Sequence, residues 1–178
     1  PTRRSSDLTI PFARRGFRIV CLEPGPNLAA LARRNLAAFP GVEVRVERFE
    51  DWPLEPEAFD LVLAATSFHH VSEDVRYAKA ARALKPGGSL AILGNHPGQD
   101  DPGFRADLDR IYARWCGEES AMEYAKSTAE QRMAGARDEI ERSGLFGPVE
   151  SRAHPWTVEY DAARYMMLLD SYSGRVTD

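Results

Sequence analysis

One carboxylate closes a short apolar run, Phe17 to Glu23, and the turn residues Pro24, Gly25 and Pro26 follow it. A run this short between turn residues reads as a strand buried on both faces of a parallel sheet. An acid at the C-terminal end of such a strand can accept two hydrogen bonds from a ribose diol, which makes Glu23 the first candidate for nucleotide binding. The plainer reading is a solvated acid in a turn. Two consecutive histidines, His69 and His70, follow a second apolar run, Phe59 to Ala65. An imidazole can act as a general base near neutral pH, and loop packing or substrate contact is the alternative for this pair. His96 and His154 are isolated, and Cys21 and Cys116 have no metal-ligand spacing, so no metal site is expected. The cysteines fit reduced, structural thiols of a cytoplasmic protein.

These groups need a scaffold, and the chain supplies alternating elements. Thr9 to Arg15 fits the last turns of a helix stopped by Gly16. The strand at Phe17 comes next. A helix over roughly Asn27 to Phe39 follows, with Leu28, Leu31, Ala32, Leu36 and Phe39 as its apolar stripe and Arg33 and Arg34 away from it. Val42 to Glu47 alternates strictly, as an edge strand with one wet face does. After a loop at Phe49 to Pro53, Phe59 to Ala65 reads as a central strand. Ser72 is a plausible N-cap for a helix burying Tyr77, Ala80, Ala81 and Leu84, which Lys85 to Gly88 stops before a strand at Ser89 to Leu93. This alternation implies an α/β, Rossmann-like fold, a mostly parallel sheet with right-handed crossovers and helices on both faces.

Beyond Gly94 the character changes to a Pro/Gly-rich loop and a series of helices. Phe104, Leu108, Ile111, Tyr112 and Trp115 mark one helix; Ser127 to Glu130 is a capping-box pattern opening another, with Met133, Ala136 and Ile140 inward. Val149 to Tyr160 is expected to contain a strand interrupted at Pro155. A last helix carries Ala162, Tyr165, Met166 and Leu169. Trp115, Trp156, Tyr165, Met166 and Tyr172 are candidates for lining a substrate pocket, with plain core packing as the alternative. The charged groups Arg33–Arg34 and Glu139, Glu141 and Arg142 read as solvated helix faces.

The 178 residues suit about one domain, and a net charge of −4 gives no basic surface for nucleic acid. No apolar run approaches a membrane span. Pro1 to Leu8 lack apolar periodicity and match one translated frame of a widely used sequencing adapter. Residues 1–8 are therefore expected to be a non-native tail, with 9–94 a partial cofactor-binding core and 95–178 a helical cover and partial C-terminal part of the same domain.

Four features in order carry a family resemblance: Glu23 ending a strand, the acidic loop Phe49–Glu50–Asp51, the strand from Phe59–Asp60 running into His69–His70, and Ala83 to Gly88 before a further strand. Together they resemble the class I S-adenosylmethionine-dependent methyltransferases, in particular the small-molecule enzymes of ubiquinone and menaquinone biosynthesis. The resemblance implies S-adenosyl-L-methionine as cofactor and a small-molecule methyl acceptor as partner, with no nucleic acid and no membrane. It also implies site residues. Glu23 would hold the ribose hydroxyls, with Pro24 beside the adenine. Phe49 would offer its backbone N–H to the ring, Glu50 or Asp51 would accept from the exocyclic amine, and Ala65 would border the methionine end. Family members often carry an acid where this chain has Arg48, which leaves Glu50 and Asp51 both open. The family's first strand and glycine-rich loop have no counterpart after Thr9, so the chain is expected to be a piece truncated at both ends, impaired in isolation, of an active parent. Two other functions share the acid-after-strand feature, a Rossmann-type NAD(P)-dependent oxidoreductase and a degenerate, non-enzymatic binding module. The acceptor and the oligomeric state leave no signature in the sequence.

Overall fold

A computed structural model describes residues 6–95, 102–116 and 129–170. The elements run α1 (Ser6–Ala13), β1 (Ile19–Leu22), α2 (Pro26–Leu36), β2 (Val42–Arg45), β3 (Phe59–Ala65), a 3-10 turn at Phe68–His70, α3 (Glu73–Ala83), β4 (Leu84–Leu93), α4 (Pro102–Cys116), α5 (Ala129–Ser143) and α6 (Ala162–Asp170). All observed strand pairing is parallel, as expected for an α/β fold. β1 pairs with β2, Ile19 opposite Val42 and Leu22 opposite Arg45, and β3 pairs with β4. Among the described residues these form two two-stranded sheets.

The first half is held by small residues. Ala29, Ala32 and Leu36 of α2 are buried with Val44 of β2, and Ile10, Cys21, Phe39 and Val42 pack around them. Ala29 replaces the expected Leu28 on this face. Leu28 is 48% exposed, because alanine lets the helix backbone approach the strand more closely than leucine does. Arg33 is exposed, as expected for a solvated helix face, and also makes a backbone contact. Its Nε and Nη2 donate to the Val44 carbonyl at 3.1 and 2.8 Å, a carbonyl on the outer edge of β2. One acceptor of that edge is thereby satisfied.

In the second half α3 packs on β3 and β4 and α5 packs on α3. Here the expected helix stop is displaced. α3 ends at Ala83, pairing begins at once with Leu84 opposite Phe59, and the next pair is Leu61 with Ser89. Lys85 to Gly88 are therefore a detour within a strand. Gly87 takes φ 81°, which L side chains avoid. Lys85 Nζ donates to both carboxylate oxygens of Asp60 at 2.9 Å across the neck of the detour. Ser72 stands at the N-cap of α3, but its side chain makes no capping bond.

Three further expectations meet a different structure. β1 and the expected central strand β3 are only half-buried along most of their length, since among the described residues each is paired along one edge. No strand forms over Val149 to Tyr160, which is exposed; Pro155 lacks an N–H and no described strand pairs with the segment. Trp156 and Met166, candidates for a pocket lining or the core, are 67% and 53% exposed. The side chains of Phe104, Leu108, Tyr112 and Trp115, together with Ser127, His96 and Tyr172, lie outside the described residues.

Candidate functional site

Parallel pairing brings the C-terminal ends of β1 and β2 to the same rim, and Glu23 follows β1 there. Its backbone is fixed on both sides: the Glu23 N–H donates to Arg45 O at 3.1 Å, and its carbonyl accepts from Glu47 N at 3.3 Å. Its side chain turns back, and Oε1 accepts the Gly25 N–H at 2.9 Å. A Cβ on Gly25 would stand 3.1 Å from that oxygen, so the glycine is what lets the carboxylate lie over the turn. Pro24 is exposed beside it and Pro26 opens α2.

The loop after β2 is a turn closed on Arg48, whose carbonyl accepts from Asp51 N at 3.2 Å and Trp52 N at 3.0 Å. Trp52 is buried beneath it, 6.1 Å from the Phe49 ring and edge-on to Phe59 at 5.6 Å. Its indole N–H is buried without an acceptor among the described residues. The two acids of the loop differ. Glu50 Oε1 accepts from Arg48 at 3.2 Å and from the Ser72 backbone N–H at 3.4 Å. Glu50's own amide first, then Arg48, holds this carboxyl below its ordinary value. Asp51 is exposed, with Arg48 Nε at 4.0 Å.

Ala65 ends β3, and Thr66 follows with φ 51° while donating its N–H to Leu93 O at 2.9 Å. A β-branched residue in the left-handed region is strained, and such strain concentrates at functional sites. The 3-10 turn then presents His69 and His70, rings 3.9 Å apart, while buried Phe68 packs edge-on to Tyr77 of α3. Burial first, then His70 and Arg76, holds the His69 imidazole below its ordinary value. The bond from Ser72 to Glu50, and Lys79 Nζ on the Glu50 carbonyl at 2.6 Å, join the loop after β2 to α3. The rims of both sheets therefore meet at this loop.

Sequence reasoning missed two groups. Lys79 reads as an exposed helix cation, and nothing local marks its partner 29 positions away. Arg76 is 6% exposed and donates to Glu139 of α5 at 2.6 Å, and the Tyr77 hydroxyl donates to the same carboxylate at 2.9 Å. Glu139, read as solvated, thus pins α5 to α3. Among the described residues no three His, Cys, Asp or Glu side chains gather to hold a metal ion, and no helix is long and apolar enough to cross a membrane.

Residues 5–92 match the family model for a methyltransferase domain. An uncharacterized methyltransferase of Mycobacterium tuberculosis (strain ATCC 25618 / H37Rv) is 32% identical over 88 residues, which are 49% of this chain and 35% of the relative. An uncharacterized methyltransferase-like protein of Schizosaccharomyces pombe is 32% identical over 77 residues, 43% of this chain and 29% of that protein. The matched part of the chain spans only about a third of the length of these curated relatives. A crystal structure from Methanococcus maripaludis, of a candidate S-adenosyl-L-methionine-dependent methyltransferase, superposes with a TM-score of 0.55 at 18% identity, covering 79% of this chain and 64% of that one. At that identity the likeness shows the fold.

Proposed function

We propose that the protein, whose residues 5–92 match a methyltransferase-domain model, is a class I S-adenosylmethionine-dependent methyltransferase that methylates a small-molecule acceptor with S-adenosyl-L-methionine, in the cytoplasm. The observation that supports this best is the Glu23 turn. A carboxylate at a strand end, oriented by the Gly25 N–H over a residue that admits no Cβ without crowding, suits a diol that must be gripped from one side. The residues fit the cofactor. Glu23 would take the ribose hydroxyls with Pro24 beside the adenine. The Phe49 N–H, which no described residue accepts, would meet the ring, and Ala65 would border the methionine end. Of the two acids in the loop, Asp51 is the better acceptor for the exocyclic amine, because Glu50 already serves Arg48 and Ser72.

When bound, the sulfonium supplies an electrophilic methyl group for in-line displacement. The protein's part is to align the acceptor against it, and alignment alone accounts for a large share of such rate enhancements. His69, with its imidazole neutral at neutral pH, would take the proton of an O–H or N–H acceptor, with the His70 ring tilted against it. Calorimetry with S-adenosylhomocysteine, on this chain and on any longer natural sequence that contains it, tests the reading. Binding by either supports it; no binding by either overturns it.

A further inference from the structure

The Glu50 backbone does more than lead to Asp51. Lys79 Nζ lies 2.6 Å from its carbonyl and 5.8 Å from the centroid of the Phe49 ring. From the same residue the carboxylate accepts the Ser72 N–H at 3.4 Å, the backbone amide of the N-cap residue of α3. One loop residue is therefore held to α3 at two points about two turns apart, one through its carbonyl and one through its carboxylate. The held carbonyl belongs to the peptide unit that joins Glu50 to Asp51, and the held carboxylate fixes the residue that directly follows Phe49. On the α3 side, the anchor Ser72 follows directly on the turn carrying His69 and His70.

We propose that Lys79 is a positioning residue: by clamping the Glu50 carbonyl it fixes the loop after β2 against α3, and so holds the nucleoside-facing loop in register with the histidine turn. This rests on the methyltransferase reading for what the loop faces, but not for the clamp itself. A charge-assisted hydrogen bond to a carbonyl is strong enough that losing it frees a loop without unfolding a domain. Lys79→Met keeps an unbranched side chain of similar length and removes the donor, whereas Lys79→Arg keeps a cationic donor.

The test is hydrogen exchange by mass spectrometry on the full chain without ligand, followed by S-adenosylhomocysteine calorimetry on the same samples. The expected result is faster exchange confined to residues 48–52 and 72–75 in Lys79→Met, unchanged exchange in α2 and β4, and recovery in Lys79→Arg. The dissociation constant should rise about tenfold in Lys79→Met and return in Lys79→Arg. A merely stabilising lysine would instead raise exchange throughout α3 and β4 and leave affinity unchanged; that result overturns the proposal. Unchanged exchange at 48–52 overturns the clamp whatever the affinity. Failure of the unsubstituted chain, and of any longer natural sequence that contains it, to bind S-adenosylhomocysteine overturns the methyltransferase reading and the cofactor half of the proposal, while the exchange result still decides the clamp.

Discussion

Glu23 commits one carboxylate oxygen to the Gly25 N–H and has the other to offer a ligand. Glu23→Gln keeps an acceptor for Gly25 but removes the charge, so the fold should persist while S-adenosylhomocysteine affinity falls roughly 10- to 100-fold, as losing hydrogen bonds to a charged group does. An unchanged dissociation constant in calorimetry would remove Glu23 from the site. His69 makes a prediction in pH. Its imidazole is held low by burial, then by His70 and Arg76, so the folded state favours the neutral form. The stability this contributes is complete above the ordinary imidazole value of about 6.5 and is lost as pH falls through the lowered folded value. Urea unfolding of the natural chain should therefore weaken on acidification in that window, and His69→Asn should flatten the slope there. At this scale the sequence was informative where placement follows from position along one element, as it does for Glu23 at a strand end. It was uninformative between Glu50 and Asp51, because what separates them is an amide 22 residues away.

The detour at Lys85 to Gly88 and the interior of α5 give glycine substitutions opposite signs. A Cβ on Gly88 would meet Lys85 O at 3.0 Å, Leu84 Cδ2 at 3.1 Å and Asp60 O at 3.2 Å, two of the three being backbone. Gly88→Ala should cost about 1–3 kcal/mol, as overpacking does. Gly135 in the middle of α5 has open space around its missing Cβ, so Gly135→Ala should stabilise by roughly 0.5–1 kcal/mol through helix propensity. Chemical denaturation of both variants checks the pair. The elements themselves were largely readable, since alternation of apolar runs with helical stripes is a local property. Their inward faces were less so. On α2 the buried stripe falls on Ala29, Ala32 and Leu36, and hydrophobicity alone favours Leu28 over Ala29. Whether Val149 to Tyr160 becomes a strand depends on a pairing edge, which no local pattern reports.

At the scale of the whole molecule, the Glu139 carboxylate ties α5 to α3 among the described residues. Glu139→Ala would leave the Arg76 guanidinium, 8% exposed at its side chain, with only the exposed Glu73 at 3.3 Å. The expected loss is about 2–3 kcal/mol, below that of a fully buried pair because Glu139 is 40% exposed. Adding Arg76→Met should recover most of it, since an apolar side chain needs no counter-charge. The midpoint of urea unfolding reads both. The parallel, alternating architecture was legible from the order of the elements, whereas the half-burial of β1 and β3 was not, because burial depends on which strands come together. The two strand pairs have a temporal consequence as well. Each joins neighbours separated by a single helix, α2 between β1 and β2 and α3 between β3 and β4, so each closes a short loop when it forms. Contacts between the halves, such as Trp52 on Phe59 and Lys79 on Glu50, come from the segment that links them. Folding should then run as two quick local condensations followed by one slower docking, and the docking step is the one that brings the Phe49 loop and the histidine turn together. Competence to bind would be the last property the chain acquires as it folds.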